Sequence, residues 1–165
     1  VAIKCSVENL ADTADITLPG TLFNRALKVE QKIAEGDAVR IRLGYDRILR
    51  DEFSGYVSEI ATDNDSVRIH CEDELYKFRK DLKDRVLKSV TVKTLLTSVA
   101  EEVGKYEVAC DYDFTYDNFT IHAATGYDVL RKVQSETKAN IYLRGKTLHV
   151  HPQYAKMVVR AIEST

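Results

Sequence analysis

The sequence predicts an α+β protein, mainly β, in which a small antiparallel β-barrel is followed by helix-strand modules. Three observations predict it. Between Val1 and Cys71, apolar residues recur with a period of two in roughly five short runs separated by turn residues. After Thr91 the apolar period lengthens to that of a helix. The plan of cap, apolar stripe, polar end and strand then occurs twice, in VKTLLTSVAEEVGKYEV and GYDVLRKVQSETKANIYL.

Each element has its own signal. Val1, Ile3, Cys5 and Val7 alternate with Ala2, Lys4 and Ser6, and Ala14, Ile16 and Leu18 repeat the pattern up to a turn at Pro19-Gly20. A third strand follows Glu35-Gly36-Asp37, with Val39, Ile41, Leu43 and Tyr45 expected inward and Arg40 and Arg42 outward. Tyr45-Asp46-Arg47-Ile48 reads as a hairpin loop into a fourth strand, which sets Phe53, Gly55 and Val57 on one face and Tyr56 and Ile60 on the other. The turn Thr62-Asp63-Asn64-Asp65 leads to Val67, Ile69 and Cys71, opposed by Arg68, His70 and Glu72. Strands so short and evenly spaced are those of a barrel or sandwich.

From Asp73 the mixed-charge run ELYKFRKDLKDRVL places Leu75, Phe78 and Leu82 at near-helical spacing, a short helix or irregular connector. Thr91 is an N-cap residue for a helix whose stripe is Val92, Leu95, Leu96, Val99 and Val103, stopped by Gly104. Strands are expected at Tyr106 to Cys110 and Phe119 to Ile121. A second helix opens at Thr125 and buries Val129, Leu130 and Val133, and a hairpin joins Ile141-Tyr142-Leu143 to Leu148-His149-Val150-His151 across Arg144-Gly145-Lys146. The expected organisation is a barrel unit over 1–75, a connector and helix over 76–105, and a smaller α+β module over 106–165. A start without Met and an apolar tail, MVVRAIEST, lacking an evident partner strand suggest a piece of a longer polypeptide.

Composition narrows the function classes. With 165 residues, 44% hydrophobic and 30% charged, the chain is long enough to bury a core and is unlike collagenous or low-complexity sequences. No apolar run approaches the ~18 residues of a membrane helix, and the start lacks a signal-peptide layout, so a soluble protein made in the cytoplasm is expected. The 24 basic and 26 acidic residues supply no global pull toward nucleic acid or anionic lipid. Their distribution is uneven, since residues 1–75 hold 9 basic and 15 acidic residues while 76–108 hold 8 and 5. Cys5, Cys71 and Cys110 are odd in number and far apart, against a disulfide framework or a zinc ribbon.

No motif carries catalytic chemistry. His149 and His151 share a strand face and resemble half a metal site, with His122, Cys71 or a carboxylate as a third ligand, but no HExxH or CxxC accompanies them, and a polar strand face is the preferred reading. His70 and Cys71 are strand neighbours and point to opposite faces, so they cannot act together. Glu72-Asp73-Glu74 and Asp111, Asp113 and Asp117 could in principle supply a general acid and base, but sequence alone does not distinguish paired catalytic carboxylates from solvated turn residues. Neither GxGxxG nor a P-loop occurs. No enzyme, cofactor or metal is expected. Arg40, Arg42, Arg68 and His70, near Tyr45 and Tyr56, suggest an OB-like groove for single-stranded nucleic acid or another ligand, an alternative weakened by the acidic surplus of the same segment. The preferred reading is that they are exposed strand positions or line a subunit contact.

Four stretches in order resemble the phage tail baseplate hub proteins, the late control protein D family, related to the hub part of type VI secretion spikes. They are ENLADTADITLPG, EGDAVRIRLGYDRILRDEFSGYVSEIATDNDSVRIHCED, SVTVKTLLTSVAEEVG and TGYDVLRKVQSETKANIYLRGKTLHVHP. The resemblance covers Val1 to Pro152 and rests on structural patterns in sequence, none of them a chemical signature. Family members usually continue for a hundred or more residues beyond this point. The resemblance implies a non-catalytic virion protein of a phage or prophage, a homotrimer joining tail tube to spike in a contractile injection system. It also implies assembly in the bacterial cytoplasm, with no membrane and no specific nucleic acid as partner. Interface candidates are Tyr56, Ile60, Arg40, Arg42 and Arg68.

Overall fold

Alternation in the first half of the chain is realised as five strands: β1 (Ala2–Ser6), β2 (Thr13–Pro19), β3 (Ala38–Tyr45), β4 (Ile48–Asp63) and β5 (Ser66–Glu72). The computed structural model describes residues 2–6, with their backbone alone, and 10–19, 33–63 and 65–152. The side chains of Val1, Ile3, Cys5 and Val7, Gly20 of the first turn, Asn64 of the second and the tail MVVRAIEST lie outside the described residues. Contacts divide the chain into two units, Val1–Tyr76 and Lys77–Thr165.

In the first unit all pairings are antiparallel, and the strand order is β1-β2-β5-β4-β3. Among the described residues the expected barrel is not formed. Closure requires the first and last strands of the order to pair, and here β1 and β3 are the two edges of an open sheet. One face is apolar: Ala14, Ile41, Phe53, Val57, Val67, Ile69 and Cys71 are buried together, with Ile16, Leu18, Ile33 and Val39 packed against them. Alternation along β4 puts Gly55 on this face with Phe53 and Val57, and the position suits glycine because a Cβ there would lie 2.1 Å from the Glu72 carbonyl oxygen.

Two irregularities change what the simple period of two implies. Val57 pairs with Cys71 but Glu59 with His70, so Ser58 is an extra residue, and its hydroxyl donates to the His70 carbonyl at 3.1 Å. This β-bulge resets the parity of β4. Ile60 therefore sits opposite Ile69 and packs on the core, not on the face with Tyr56 as alternation predicts. The second irregularity lies between Ile41 and Arg42, where Glu52 is the extra residue. Beyond it, among the described residues, β3 and β4 pair only with each other, since β5 begins its pairing with β4 at Tyr56. Leu43 and Tyr45, expected inward, are consequently exposed.

The hairpin turn itself is Asp46-Arg47, with φ of 51° and 65°. Positive φ at both central residues is the geometry that matches the twist of the flanking strands, and Asn-Gly adopts it with least strain. Asp46→Asn with Arg47→Gly is expected to stabilise the first unit by about 1 kcal/mol, seen as a raised denaturation midpoint.

The connector is more ordered than its sequence suggests. A 3-10 turn at Glu74–Phe78 buries Leu75 and Phe78 completely. It starts from Asp73, whose carboxylate accepts from the backbone N–H of Asp12 and of Leu75, both at 2.9 Å. Burial nevertheless pushes the Asp73 carboxyl up from its ordinary range. A strand not anticipated from the sequence, β6 (Arg85–Thr91), pairs antiparallel with β8 (Thr115–Ile121). Its mixed sequence RVLKSVT keeps only Val90 buried, so no clean alternation marked it.

Helix α1 (Val92–Gly104) starts at the Thr91 N-cap, whose hydroxyl accepts from the Thr94 N–H, and buries Val92, Leu95, Leu96, Val99 and Ala100. Its left-handed C-cap is Lys105, one residue later than the expected stop at Gly104. Helix α2 (Gly126–Thr137) has a reciprocal capping box between Thr125 and Asp128. Each helix leads into a strand, β7 (Glu107–Cys110) and β9 (Ala139–Arg144), and these flank β10 (Thr147–Pro152). β10 runs parallel to β7 and antiparallel to β9. The twice-used helix-strand plan thus builds the two sides of one three-stranded sheet, with Ile141, Leu148 and Val150 buried on one of its faces.

Glu102 near the end of α1 fastens the start of β6. Its carboxylate accepts from the Lys83 N–H and from Arg85 Nη1, each at 2.7 Å, and Arg85 Nη2 donates to Ser98 Oγ at 3.1 Å. The Lys83 N–H first, and then Arg85, hold the Glu102 carboxyl below its usual value against the opposing effect of burial. A depressed folded-state value means that this stabilisation is complete above the unfolded-state value near 4.5 and is lost as pH falls through the lower folded-state value. Glu102→Gln is expected to cost about 1 kcal/mol at neutral pH and to flatten the acid limb of a plot of unfolding midpoint against pH.

Candidate functional site

The residues that distinguish this molecule are on its surface. In the first unit the end of the β3–β4 hairpin projects past the rest of the sheet as a two-stranded arm. An isolated two-stranded ribbon is marginal in water. This one nevertheless carries, among the described residues of the unit, the largest exposed apolar side chains: Tyr45 is 92% exposed, Ile48 67%, Leu49 58% and Leu43 45%. Tyr45 and Ile48 are directly paired and share one face of the ribbon with Leu43, whereas Leu49, opposite Gly44, is on the other. Exposed apolar side chains gathered at such a tip make it the candidate interaction surface.

Beside the arm, the sheet face opposite the core is polar and internally paired. Arg40 Nη2 reaches Asp51 Oδ2 at 2.9 Å, and His70 Nδ1 lies 2.7 Å from Asp15 Oδ1. Asp15 and His70 stand directly opposite each other on β2 and β5, as do Glu59 and His70 on β4 and β5. Arg68, Ala61 and these three residues line a shallow concavity of about 220 Å³. Both signs of charge line it, which gives no net preference for an anion such as a nucleic-acid backbone.

The predicted interface residues are distributed as follows. Arg40, Arg42 and Arg68 are exposed, whereas Tyr56 is half-buried and stacks on Tyr76 at 5.9 Å. Ile60 is drawn to the core side by the bulge. The OB-like groove suggested by the four basic residues has no barrel to sit on, and two of them, Arg40 and His70, already face carboxylates. Cys71 is fully buried on the opposite side of β5 from His70. The apolar tip at Ile48 and Leu49 was missed in the sequence reading, and Ile-Leu directly after a two-residue turn was the available signal.

In the second unit His149 and His151 do share a face of β10. His149 stacks flat on Tyr142, with centroids 4.9 Å apart and planes 9° apart, and the His151 ring is 5.5 Å from His149. His151 Nδ1 is engaged by Asp111 Oδ1 at 2.6 Å. Burial, then His151 and Arg144, lower the His149 imidazole below its ordinary value. His122 pairs with Asp84 at 2.8 Å. Among the described residues no group of three or more His, Cys, Asp or Glu is placed to hold a metal ion. Burial likewise pushes up the Cys110 thiol, which donates to the Tyr112 carbonyl, so it is a poor nucleophile at neutral pH. Among the described residues no helix is long and apolar enough to cross a membrane.

An open antiparallel sheet with a projecting arm, followed by a helix-strand unit around a three-stranded sheet, defines a protein whose distinctive surfaces are suited to contact. Comparison with known structures finds a similar fold in tail proteins. The chain is similar to the 43 kDa tail protein of prophage MuSo2 from Shewanella oneidensis, with 17% identity and a TM-score of 0.53 over 90% of this chain and 48% of that one. It is similar also to a tail protein from Neisseria meningitidis MC58, with 13% identity and a TM-score of 0.51 over 90% of this chain and 45% of that one. The chain thus spans about half the length of these two proteins. No protein-family model and no curated protein matches its sequence.

Proposed function

We propose that the chain is a non-catalytic structural protein of a phage or prophage tail, a protomer of the homotrimeric baseplate hub that joins the tail tube to the spike. In this reading it is assembled in the bacterial cytoplasm and ends in the virion, and its partners are copies of itself and the tube and spike proteins. The observation that carries the reading is the likeness in fold to two tail proteins over 90% of the chain. The order of the four hub-like stretches supports the finer assignment. So does a surface whose exposed features are an apolar arm and paired charges. Arg40, Arg42, Arg68 and Tyr56 are its polar contact candidates, with Ile60 contributing its uncovered edge.

The test is immunogold labelling of tail particles together with the native mass, by light scattering, of the longest chain encoded by the gene. Label at the junction of tube and spike and a trimeric mass are expected. A particle labelled elsewhere, or a longest chain that stays monomeric, would overturn the hub assignment and leave only the likeness to tail proteins.

A further inference from the structure

Three of the four histidines carry an aspartate on Nδ1: His70 with Asp15, His122 with Asp84 and His151 with Asp111. His149 instead lies flat on the ring of Tyr142, its direct partner across β10 and β9. Both rings stand on the sheet face opposite the buried Leu148 and Val150. Charged and titratable groups reach that face from all three strands. The pairs Thr147-Arg144, His149-Tyr142 and His151-Asn140 follow one another along β10 and β9, which sets His149 between the rows of Arg144 and His151. The Arg144 guanidinium lies 6.0 Å from the Tyr142 ring centre, and the His151 ring 5.5 Å from that of His149. From β7 come Glu107, level with Thr147, and Asp111, just past the strand's end. Asp111 holds β10 twice, through Oδ1 at His151 and through its N–H, which donates to the Val150 carbonyl at 3.2 Å.

We propose that His149 is an acid-sensitive latch, whose protonation loosens the β9–β10 hairpin from β7. A neutral imidazole suits this partly buried place, whereas a proton on it adds a cation between Arg144 and His151 where water screens it poorly. The nearby acids do little to offset it. The Asp111 carboxylate is taken up by His151, and Glu107 is exposed at the rim, where solvent screens it. Tyr142 offers its ring face to Arg144 as well as to His149. Burial first, and then His151 and Arg144, place the His149 imidazole below its ordinary 6.5. A depressed folded-state value means that the stabilisation is complete above 6.5 and is lost as pH falls through the lower folded-state value. The joint that yields is the one between β10 and β7, four parallel pairs against the six antiparallel pairs that join β10 to β9. The latch is a property of the second unit alone and does not depend on the tail reading.

Amide hydrogen exchange of the full chain, corrected for the intrinsic rate at each pH, tests the latch at about pH 7.5 and about pH 5.5, either side of the ordinary imidazole range. Acid is expected to cause a several-fold loss of protection in β7 and in the stretch of β10 paired with it, Thr147 to Val150. β6 and β8, in the same unit but paired only with each other among the described residues, are expected to keep theirs. His149→Phe keeps a ring against Tyr142 and cannot take up a proton, so the loss is expected to vanish in this variant. His149→Gln, which gives up the ring as well, is expected to lower protection equally at both pH values, which separates the stack from the charge. Protection in the wild type that is the same at both pH values overturns the latch. So does an acid loss that His149→Phe retains, or one that β6 and β8 share to the same extent.

Discussion

Phe78→Ala is expected to destabilise the second unit by about 3–5 kcal/mol, the range for removing a large aromatic ring from a core. Phe78 is fully buried at the end of the 3-10 turn, with its ring 5.1 Å from that of Tyr106. Its carbonyl lies 2.8 Å from where a Cβ on Gly126 would be, so the same residue also packs on the first turn of α2. The cavity would open between the connector and that helix, two pieces held by the Gly126 N–H to Lys80 carbonyl bond at 3.0 Å and by Leu82 N–H to Ala124 carbonyl at 2.9 Å. Chemical denaturation followed by circular dichroism measures the loss, and Phe78→Leu, which refills most of the volume, is expected to cost less than half as much. Equal losses for the two variants would show that aromatic contact, not volume, holds the site.

Gly55→Ala is expected to cost the first unit about 3 kcal/mol. The added methyl would stand 2.1 Å from the Glu72 carbonyl oxygen and 2.8 Å from Cζ of Phe53. A ring tip can turn aside, but the carbonyl belongs to the neighbouring strand, so β4 and β5 must separate where the sheet core is tightest. Gly145→Ala is the natural control, since it sits at φ 61° in the β9–β10 turn with nothing within 4 Å of the new methyl. It meets only the left-handed backbone penalty, about 1 kcal/mol. If Gly55→Ala costs its unit no more, relative to wild type, than Gly145→Ala costs the second unit, the close approach at Gly55 is not a packing constraint.

Much of the architecture was legible because local signals and tertiary packing agree. Thr91 and Thr125 cap helices in the structure as their position before an apolar stripe predicts, and the stripes Leu95, Leu96, Val99 and Val129, Leu130, Val133 are the buried ones. β6 escaped notice because six of its seven residues are not buried, and its pairing with β8 is a long-range event that no local period records. The candidate surface was legible only in part. Arg40, Arg42 and Arg68 were placed correctly on exposed strand positions, while Ile60 was assigned to the wrong face. An extra residue such as Ser58 leaves the sequence period intact and changes the parity of the ladder.

By itself the sequence determined the α+β class, the two helix starts to within a residue, the identity of the core stripes and the absence of recognisable catalytic motifs. These follow from interactions between residues a few positions apart: caps, turns and the two periodicities. Only the tertiary structure decided that the sheet stays open, that β3 and β4 run on beyond it as an arm, and that Leu43 and Tyr45 face water. Whether the last strand of a sheet meets the first depends on pairing between residues far apart in the chain, and apolar alternation is the same in a closed barrel and an open sheet. For the same reason a sequence marks which side chains share a face, and only the neighbouring strand, or its absence, settles whether that face is covered.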